Sequence, residues 1–176
     1  WQTGLMQYEA RLGFQSPLKN GVPIWTGEPL NGKTICVWSE QGSGDNVMIA
    51  RYLDCLRDNW GAKRVLFACP GDIGDLLIGQ CCAEMYSNLM SVPQHDFQVA
   101  ALSLPLHLEK AQIAANVEFP YINAVVPHEF PELEAAKLAN PEKLNIGFCF
   151  SGNPKHRNDK YRSIPADKFK AIMNTK

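Results

Sequence analysis

The chain has 176 residues, of which 45% are hydrophobic and 20% charged, with a formal net charge of −1. This composition is that of an ordinary soluble globular protein, long enough for one medium domain or for one domain and part of another. The nearly neutral charge argues against disorder and against nucleic acid as a partner. The apolar runs are far shorter than the ~20 residues that a membrane-spanning helix needs, so no transmembrane segment is expected.

The six cysteines do not follow the pattern of a disulfide framework. Four of them lie in apolar runs, where a free cysteine behaves as a small buried hydrophobic residue. No Cys-x-x-Cys occurs, and no Cys/His set has the spacing of zinc ligands. The sequence also lacks a signal-peptide pattern. We therefore expect reduced thiols, no bound metal and a cytoplasmic protein.

Strand-like and helix-like segments alternate along the chain. Residues 1–30 are predicted to be a connector or N-terminal arm, with a helical piece at 5–12 before Gly- and Pro-rich sequence. Strands are predicted at residues 33–39, 64–69, within 97–105, and at 144–152. Helices are predicted at residues 45–60, 72–87, 131–139 and 165–174. Such alternation predicts a Rossmann-like, three-layer α/β/α fold with a mostly parallel sheet.

The loop after the first predicted strand contains Gly42-Ser43-Gly44-Asp45. It is not a dinucleotide fingerprint, because Val47 replaces the third glycine and no acid ends the next strand. It is not a phosphate-binding P-loop either, because no Gly-Lys-Ser/Thr follows. Asp45 alone can be explained as a first-turn residue that stabilises the helix N-terminus. That structural explanation stays open beside a functional one, since ligands bind at the carboxyl ends of parallel strands.

A second loop, residues 151–165, is strongly basic and also joins a predicted strand to a predicted helix. Its cations are Lys155, Arg157, Lys160 and Arg162. A solvated basic surface loop is one interpretation. The other is an anion site, because a helix N-terminus and charge-assisted hydrogen bonds both favour a diphosphate.

Two segments together resemble bacterial glycosyltransferases related to the heptosyltransferase family (glycosyltransferase family nine), in the branch associated with tetratricopeptide repeats. The first is GEPLNGKTICVWSEQGSGDNVMIARYL, and the second is IGFCFSGNPKHRNDKYRSIP. The second matches the pattern Gly-Asn-Pro-x-His-x-Asn-Asp-x-x-Arg-Ser at every specified position. The likeness covers most of residues 24–170 and is looser over 71–116.

The resemblance implies a GT-B architecture, in which two Rossmann-like domains face each other across a cleft. Residues 31–140 would form the acceptor domain, and residues 141–176 the start of a donor-binding domain. Asp45 would be the base that takes the proton of an acceptor hydroxyl, with inversion at the sugar. The residues expected to bind the acceptor are Gly42, Ser43, Gly44 and Asn46. Those expected to bind the donor phosphates are Asn153, His156, Asn158, Lys160, Arg162 and Ser163.

The expected donor is a nucleotide-sugar, and the acceptor a glycan, lipid or protein. Because no Asp-x-Asp occurs, a metal-held diphosphate is not expected, and neither is a cofactor. A full donor domain needs roughly 150 further residues, so this chain alone is expected not to turn over the donor, and its uncovered apolar surface favours a homodimer. The alternative is a non-catalytic Rossmann-like binding or scaffolding domain. The broken fingerprint makes a nucleotide-dependent oxidoreductase the third choice.

Overall fold

The computed structural model describes residues 1–14, 21–110, 120–123, 131–143 and 148–173. Within these residues the chain is an α/β protein with seven α-helices and a four-stranded, all-parallel sheet. The predicted fold class is therefore confirmed, and the topology is consistent with a Rossmann-like fold. The chain divides into two compact units, Trp1–Val125 and Val126–Lys176.

The sheet lies in the first unit and has the strand order β3-β2-β1-β4. Its strands are β1 Thr34–Trp38, β2 Arg64–Ala68, β3 Glu84–Tyr86 and β4 Phe97–Ala100. Consecutive strands run from β1 outward to β3, and the chain then returns to place β4 on the other side of β1. The strand order therefore reverses between β1 and β4, and such a reversal point is where open parallel sheets bind ligands.

Short helices connect the strands. Those of the first unit are α1 Gln2–Tyr8, α2 Ser43–Ala50, α3 Leu53–Asp58, α4 Gly71–Leu77 and α5 Leu104–Lys110. Three 3-10 helices accompany them, at Glu9–Phe14, Leu89–Ser91 and Ala101–Ser103. The described part of the second unit has α6 Pro131–Ala139, a 3-10 helix at Asp159–Tyr161 and α7 Ala166–Met173. No helix of the described residues is long and apolar enough to cross a membrane.

The core lies on both faces of the sheet because side chains alternate along each strand. On one face, Ile35, Val37 and Phe67 pack against the buried side chains of α2, α3 and α4 in the main cluster. On the other face a smaller cluster consists of Cys36, Trp38, Leu66, Ala68 and Ala100, with Leu12 and Val92 packed against it. After their half-buried first residues, β1, β2 and β4 are thus buried on both faces, as their continuous apolar runs predict, whereas β3 is partly exposed.

The outer edge of β4 is covered by the segment before β1. Ile24 forms an isolated parallel bridge with Gln98, and the Trp25 N–H donates to the Gln98 carbonyl at 2.8 Å. Trp25 itself is completely buried and lies edge-on to Trp60 at 5.1 Å. The predicted N-terminal arm therefore contributes directly to the core of the first unit and protects one sheet edge from pairing with other chains.

The helix predicted at residues 45–60 is interrupted. It begins at Ser43, ends as α2 at Ala50, and resumes as α3 at Leu53 after a turn at residues 51–52. At the break, the Tyr52 N–H donates to the Ile49 carbonyl at 2.8 Å, and Arg51 Nε donates to the Met48 carbonyl at 3.0 Å. The apolar side chains of the two helices still form one inward-facing stripe, since Ile49, Leu53, Leu56 and Trp60 are buried and Tyr52 is half-buried.

The helix predicted at residues 72–87 is wrong beyond Leu77. There α4 ends before Gly79, whose φ is +73°, and the chain then enters β3. The parallel pairing of β3 with β2 supplies long-range hydrogen bonds that local helical preference does not anticipate. Residues 97–105 hold β4 only to Ala100 before helical turns begin. Of the strand predicted at 144–152, residues 144–147 lie outside the described part, and 148–152 form no strand.

Candidate functional site

The carboxyl ends of β1 and β4 lie side by side, because Trp38 is paired with Ala100 in the parallel register. Each strand is followed at once by a turn into a helix: residues 39–42 lead to α2, and the 3-10 helix Ala101–Ser103 leads to α5. The loop that the sequence singled out therefore leaves the sheet at its strand-order reversal. This is the edge where a parallel sheet presents chain ends and helix N-termini to a ligand.

The glycine turn forms the N-terminus of α2. Gly42 is the N-cap, and Asp45 in the first turn folds back so that its Oδ2 accepts a hydrogen bond from the Gly42 N–H at 3.1 Å. Gly42, Ser43 and Gly44 are exposed, and Asp45 is half-buried. The structural explanation of Asp45 thus holds: its carboxylate caps the helix. A carboxylate can accept several hydrogen bonds, so this cap leaves capacity for a ligand hydroxyl.

Asn46 differs from the rest of the turn, because it is buried with 1% relative exposure. Its side-chain amide donates to the Gly42 carbonyl at 3.2 Å. Asn46 therefore stabilises the glycine turn from its buried side, and its amide is not presented on the surface. Of the residues predicted to bind the acceptor, the turn residues Gly42, Ser43 and Gly44 are the ones whose surface is open to solvent.

A second acid at this edge, Glu40, was missed by the sequence reasoning. Its side chain is only 1% exposed and receives Arg11 Nε at 2.8 Å and Arg11 Nη2 at 3.0 Å. The Leu102 N–H donates to the same carboxylate at 3.1 Å. Glu40 thus ties together the end of β1, the 3-10 helix after β4 and the N-terminal segment. The signal in the sequence that could have identified Glu40 is an acidic residue directly after a predicted buried strand.

Arg11 is the centre of this network. Besides Glu40, it contacts Glu9 at 2.7 Å and donates to the Ser103 hydroxyl at 2.9 Å. The Ser103 hydroxyl in turn donates to the Glu9 carboxylate. Burial acts to lower the pKa of Arg11, but the hydrogen bonds that Arg11 donates to Glu40 and Glu9 outweigh it and raise that pKa above its ordinary value. The guanidinium is therefore a permanent positive charge between two carboxylates.

Next to this network is a cavity of about 240 Å³. It is lined by side chains from β1, β4, α5 and the N-terminal segment: Glu9, Leu12, Ile24, Trp25, Thr26, Trp38, Val99, Ala100, Ser103, Leu106, His107 and Lys110. Most of the wall is apolar. His107 is buried, its ring lies 4.7 Å from that of Trp25, and burial followed by the charge of Lys110 lowers its pKa. His107 is therefore a neutral imidazole at pH 7.

A larger and more polar cavity of about 530 Å³ lies beside α3 and α4. Its lining includes Asp54, Asp58 and Gln80, and Arg51 places its guanidinium 4.6 Å from the ring centre of Tyr121. Cys55 and Cys81 also line it, and burial raises the pKa of both thiols. These thiols are therefore protonated at neutral pH and are weak nucleophiles.

None of the six cysteines forms a disulfide in the structure. Cys149 alone among them is exposed. Burial raises the pKa of Cys36 to about 12 and that of Cys69 to about 11. In the part of the chain that the structure describes, no group of three His, Cys, Asp or Glu side chains is arranged to hold a metal ion.

The basic loop lies in the second unit and is organised around Ser163. The Ser163 hydroxyl accepts from the Gly152 N–H at 2.8 Å and donates to Asp159 Oδ1 at 2.8 Å. A Cβ at Gly152 would come within 2.7 Å of Asp159 Oδ1, so any other residue there would require the Asp159 side chain to move. Among the predicted donor-binding residues, Ser163 therefore already serves to close its own loop.

Two further side chains of this loop also accept hydrogen bonds from backbone N–H groups of the same loop. Asn153 Oδ1 accepts from the Lys155 N–H at 2.9 Å, and His156 Nδ1 accepts from the Asn158 N–H at 3.2 Å. Lys160 and Arg162 are exposed, as is Asn158. The loop thus presents Lys160 and Arg162, together with Lys155 and Arg157, to solvent on a backbone held by its polar side chains. The glycine turn belongs to the first unit, and this loop belongs to the second.

Comparisons with protein-family models, with curated proteins and with solved structures found no match to this chain.

Proposed function

We propose that this chain carries the acceptor side of an inverting glycosyltransferase that uses a nucleotide-sugar donor. The observation that carries the proposal is the position of Asp45, a half-buried carboxylate in the first turn of α2 at the strand-order reversal of the sheet. The exposed glycine turn beside it gives a substrate close access to the backbone. The resemblance to the heptosyltransferase family gives the reaction class.

In the proposed reaction the acceptor hydroxyl oxygen forms a bond to the anomeric carbon of the donor sugar. The bond from that carbon to the diphosphate oxygen breaks, and the diphosphate leaves with the electron pair. Asp45 takes the hydroxyl proton on Oδ1, the carboxylate oxygen that does not accept the hydrogen bond from the Gly42 N–H. Because the new bond forms opposite the old one, the sugar is inverted. The Gly42 N–H keeps the carboxylate in its orientation and lowers the cost of ordering it.

The leaving diphosphate requires positive charge. Lys160 and Arg162 are exposed cations on a loop closed by Gly152, Asp159 and Ser163. An arginine can bind a phosphate through two parallel hydrogen bonds, and a lysine adds a mobile point charge. We assign the donor diphosphate to these two side chains. Asn153, His156 and Ser163 support them by holding the loop.

The test is sugar transfer and donor cleavage with a panel of UDP-, GDP- and ADP-sugars. It is run on the 176-residue chain and on any longer natural protein that contains it, because the resemblance predicts that turnover needs both halves of a GT-B fold. Asp45→Asn should lower kcat by about 100-fold or more, the usual size of a general-base contribution. The matched control is Asp72→Asn, which changes an exposed first-turn acid of α4 and should leave kcat unchanged.

Donor binding provides a second readout in the same experiment. Arg162→Ala should weaken nucleotide-sugar binding by about 1.5–3 kcal/mol, the range for a hydrogen bond to a charged group. Lys168→Ala, an exposed cation on α7, should not. Transfer that survives Asp45→Asn would reject the base. Donor binding without transfer in every protein tested would favour the alternative of a non-catalytic binding domain.

A further inference from the structure

The larger cavity, of about 530 Å³, has no part in the proposed transfer, because its lining includes neither the glycine turn nor Asp45. It is formed by the end of α2, by α3, by the end of α4 with the turn that follows, and by residues 120–123. All of these segments belong to the first unit. Small-molecule sites have volumes of about 300–1,000 Å³, so this cavity has the size of a ligand site.

Polar side chains of its wall have hydrogen-bonding capacity that no described residue uses. Asp54 Oδ1 accepts from the Cys82 N–H at 2.7 Å, whereas Oδ2 has no hydrogen-bond partner among the described residues. Gln80 Oε1 accepts from the Asn123 N–H at 3.0 Å, which leaves its Nε2 without a partner in that part of the chain. The side-chain amides of Asn59 and Asn123 make no hydrogen bond there either, and both residues line the cavity.

These groups are accessible to a ligand. The Asp54 side chain is 44% exposed, Gln80 is half-buried, and the two asparagines are exposed. A carboxylate oxygen only accepts hydrogen bonds, whereas a side-chain amide nitrogen only donates them. The cavity therefore offers both an acceptor and several donors to a molecule inside it.

The charged groups around the cavity are already paired and nearly cancel. Asp58 accepts from Arg57 Nε at 2.7 Å and from Arg57 Nη2 at 3.3 Å, and Arg57 also lies 3.8 Å from Asp54. Arg51 donates through Nε to a backbone carbonyl of α2 and through Nη2 to the Tyr121 hydroxyl. Two of the three nitrogens of Arg51 are thus engaged by the protein, and the two acids of the wall would repel an anion.

These properties select the class of ligand. A phosphate or carboxylate would meet two acids, and a cation would meet two guanidinium groups beside them. An apolar molecule would displace water from the amides and from Asp54 without replacing its hydrogen bonds. A hydroxyl both donates and accepts, so neighbouring hydroxyls can serve Asp54 Oδ2 and the amide nitrogens together. A sugar ring carries such hydroxyls on adjacent carbons.

We propose that this cavity binds a neutral sugar, whose hydroxyls donate to Asp54 Oδ2 and accept from the side-chain amide of Gln80. Asn59 and Asn123 contribute further amide groups. The site holds the sugar without changing it and is separate from the proposed transfer site. The assignment rests on the cavity alone, so it holds whether or not Asp45 acts as a base.

The test measures binding of the methyl glycosides of glucose, galactose and mannose to the full chain by nuclear magnetic resonance. The readouts are ligand saturation transfer and the side-chain amide signals, among which those of Gln80 are the pair that disappears in Gln80→Met. At least one glycoside should bind saturably and shift that pair. Tetrahydropyran, the same ring without hydroxyls, should not bind. A phosphate monoester of the sugar that binds should bind no more tightly than the sugar itself.

Asp54→Asn keeps an oxygen for the Cys82 N–H but replaces the unused acceptor by a donor. It should weaken binding of that glycoside about 10-fold or more, as expected for loss of a hydrogen bond to a charged group. Asp75→Asn, which changes an exposed acid of α4 outside the cavity, should leave binding unchanged. Asp45→Asn should also leave it unchanged, which separates this site from the proposed transfer.

Asn59→Trp adds a large side chain at an exposed position of the lining and should prevent binding. Gln7→Trp makes a similar change at an exposed position of α1 and should not. Urea unfolding verifies that each variant is folded. The proposal is overturned if none of the three glycosides binds saturably, if a folded Asp54→Asn binds as well as the unaltered chain, or if tetrahydropyran binds as tightly as the glycoside. Tighter binding of the phosphate monoester would replace the neutral sugar by an anion.

Discussion

Glu40 and Glu84 each accept two hydrogen bonds from an arginine, yet they lie in opposite environments. The Glu40 side chain is 1% exposed and is paired with Arg11, whereas Glu84 is 44% exposed and is paired with Arg64. In water, two such charges attract weakly, and salt screens them. Inside the protein, the same carboxylate is tolerated only because its charge and its hydrogen bonds are satisfied.

Removing one partner of the buried pair should therefore be costly. Glu40→Ala leaves Arg11 Nε and the Leu102 N–H without their acceptor and removes one of the two carboxylates beside the guanidinium, so the free energy of unfolding should fall by about 3–5 kcal/mol. Urea unfolding followed by circular dichroism measures this fall. Glu84→Ala removes an exposed partner and should leave the unfolding midpoint nearly unchanged.

A double variant separates the loss of the pair from the loss of one charge. Arg11→Leu combined with Glu40→Leu removes both charges, so most of the lost free energy should return. If the double variant is as unstable as Glu40→Ala with Arg11 intact, then packing at this position rather than an unpaired charge explains the cost. Glu9 and Ser103, which also contact Arg11, are kept unchanged.

At the residue scale, sequence reasoning identifies residues whose role is indicated by their immediate neighbours in the chain. Asp45 stands out because it follows two glycines and begins a helical pattern. Glu40 has no such neighbours, and its structural role comes from its pairing with Arg11, which is 29 residues away in the sequence. The burial of Trp38 Nε1 without a hydrogen-bond partner among the described residues is equally invisible in sequence, where Trp38 is only an apolar residue at the end of a strand. Contacts between distant segments decide both roles.

At the element scale, the central strands β1 and β2 are predicted correctly, and so are the helices α6 and α7. The β-branched and aromatic runs that became β1 and β2 are buried on both faces, so their sequence alone marks them. β3 is only three residues long and was predicted as helix, because its pairing with β2 cannot be read locally. One stop signal was present and overlooked: Gly79 has positive φ just after α4, as Gly61 does after α3.

The cap of α2 gives a prediction at this scale that also bears on the proposed reaction. Asp45→Ala removes the acceptor of the Gly42 N–H and a negative charge from the helix N-terminus, so it should destabilise the protein by about 1 kcal/mol. Asp45→Asn keeps an amide oxygen at that place and should cost less. Thermal unfolding of both variants provides the measurement.

Asp72→Ala is the matched control, since Asp72 is a first-turn acid of α4 for which the structure gives no hydrogen bond within the described residues. Its effect on stability therefore measures the interaction of a first-turn acid with the helix dipole alone. An equal loss in Asp45→Ala and Asp72→Ala would show that the Gly42 hydrogen bond contributes nothing. A folded Asp45→Asn is also what makes the kinetic test of the proposed base interpretable.

At the scale of the whole molecule, burial is distributed unevenly between the two units. Every residue of the main and the smaller core cluster lies within the first unit, Trp1–Val125. In the described residues of the second unit, no side chain reaches the same burial. Its clearest apolar contact is the stacking of Phe150 on Phe169 at 4.3 Å, with Phe148 edge-on at 5.2 Å and half-exposed.

This asymmetry predicts how the chain responds to division. A chain that ends at Val125 keeps the sheet, both core clusters and the Arg11–Glu40 pair, so it should unfold cooperatively in urea and give a dispersed amide spectrum. The segment from Val126 to Lys176, about 50 residues without a buried core in its described part, should remain unfolded by itself, because so small a chain buries too little apolar surface to offset its conformational entropy. As a control in the intact chain, Phe169→Ser should disturb the phenylalanine stack and leave the urea unfolding transition of the first unit unchanged. A non-cooperative shorter chain would mean that the second unit supplies stability to the sheet, because every other contact of the core would have been retained.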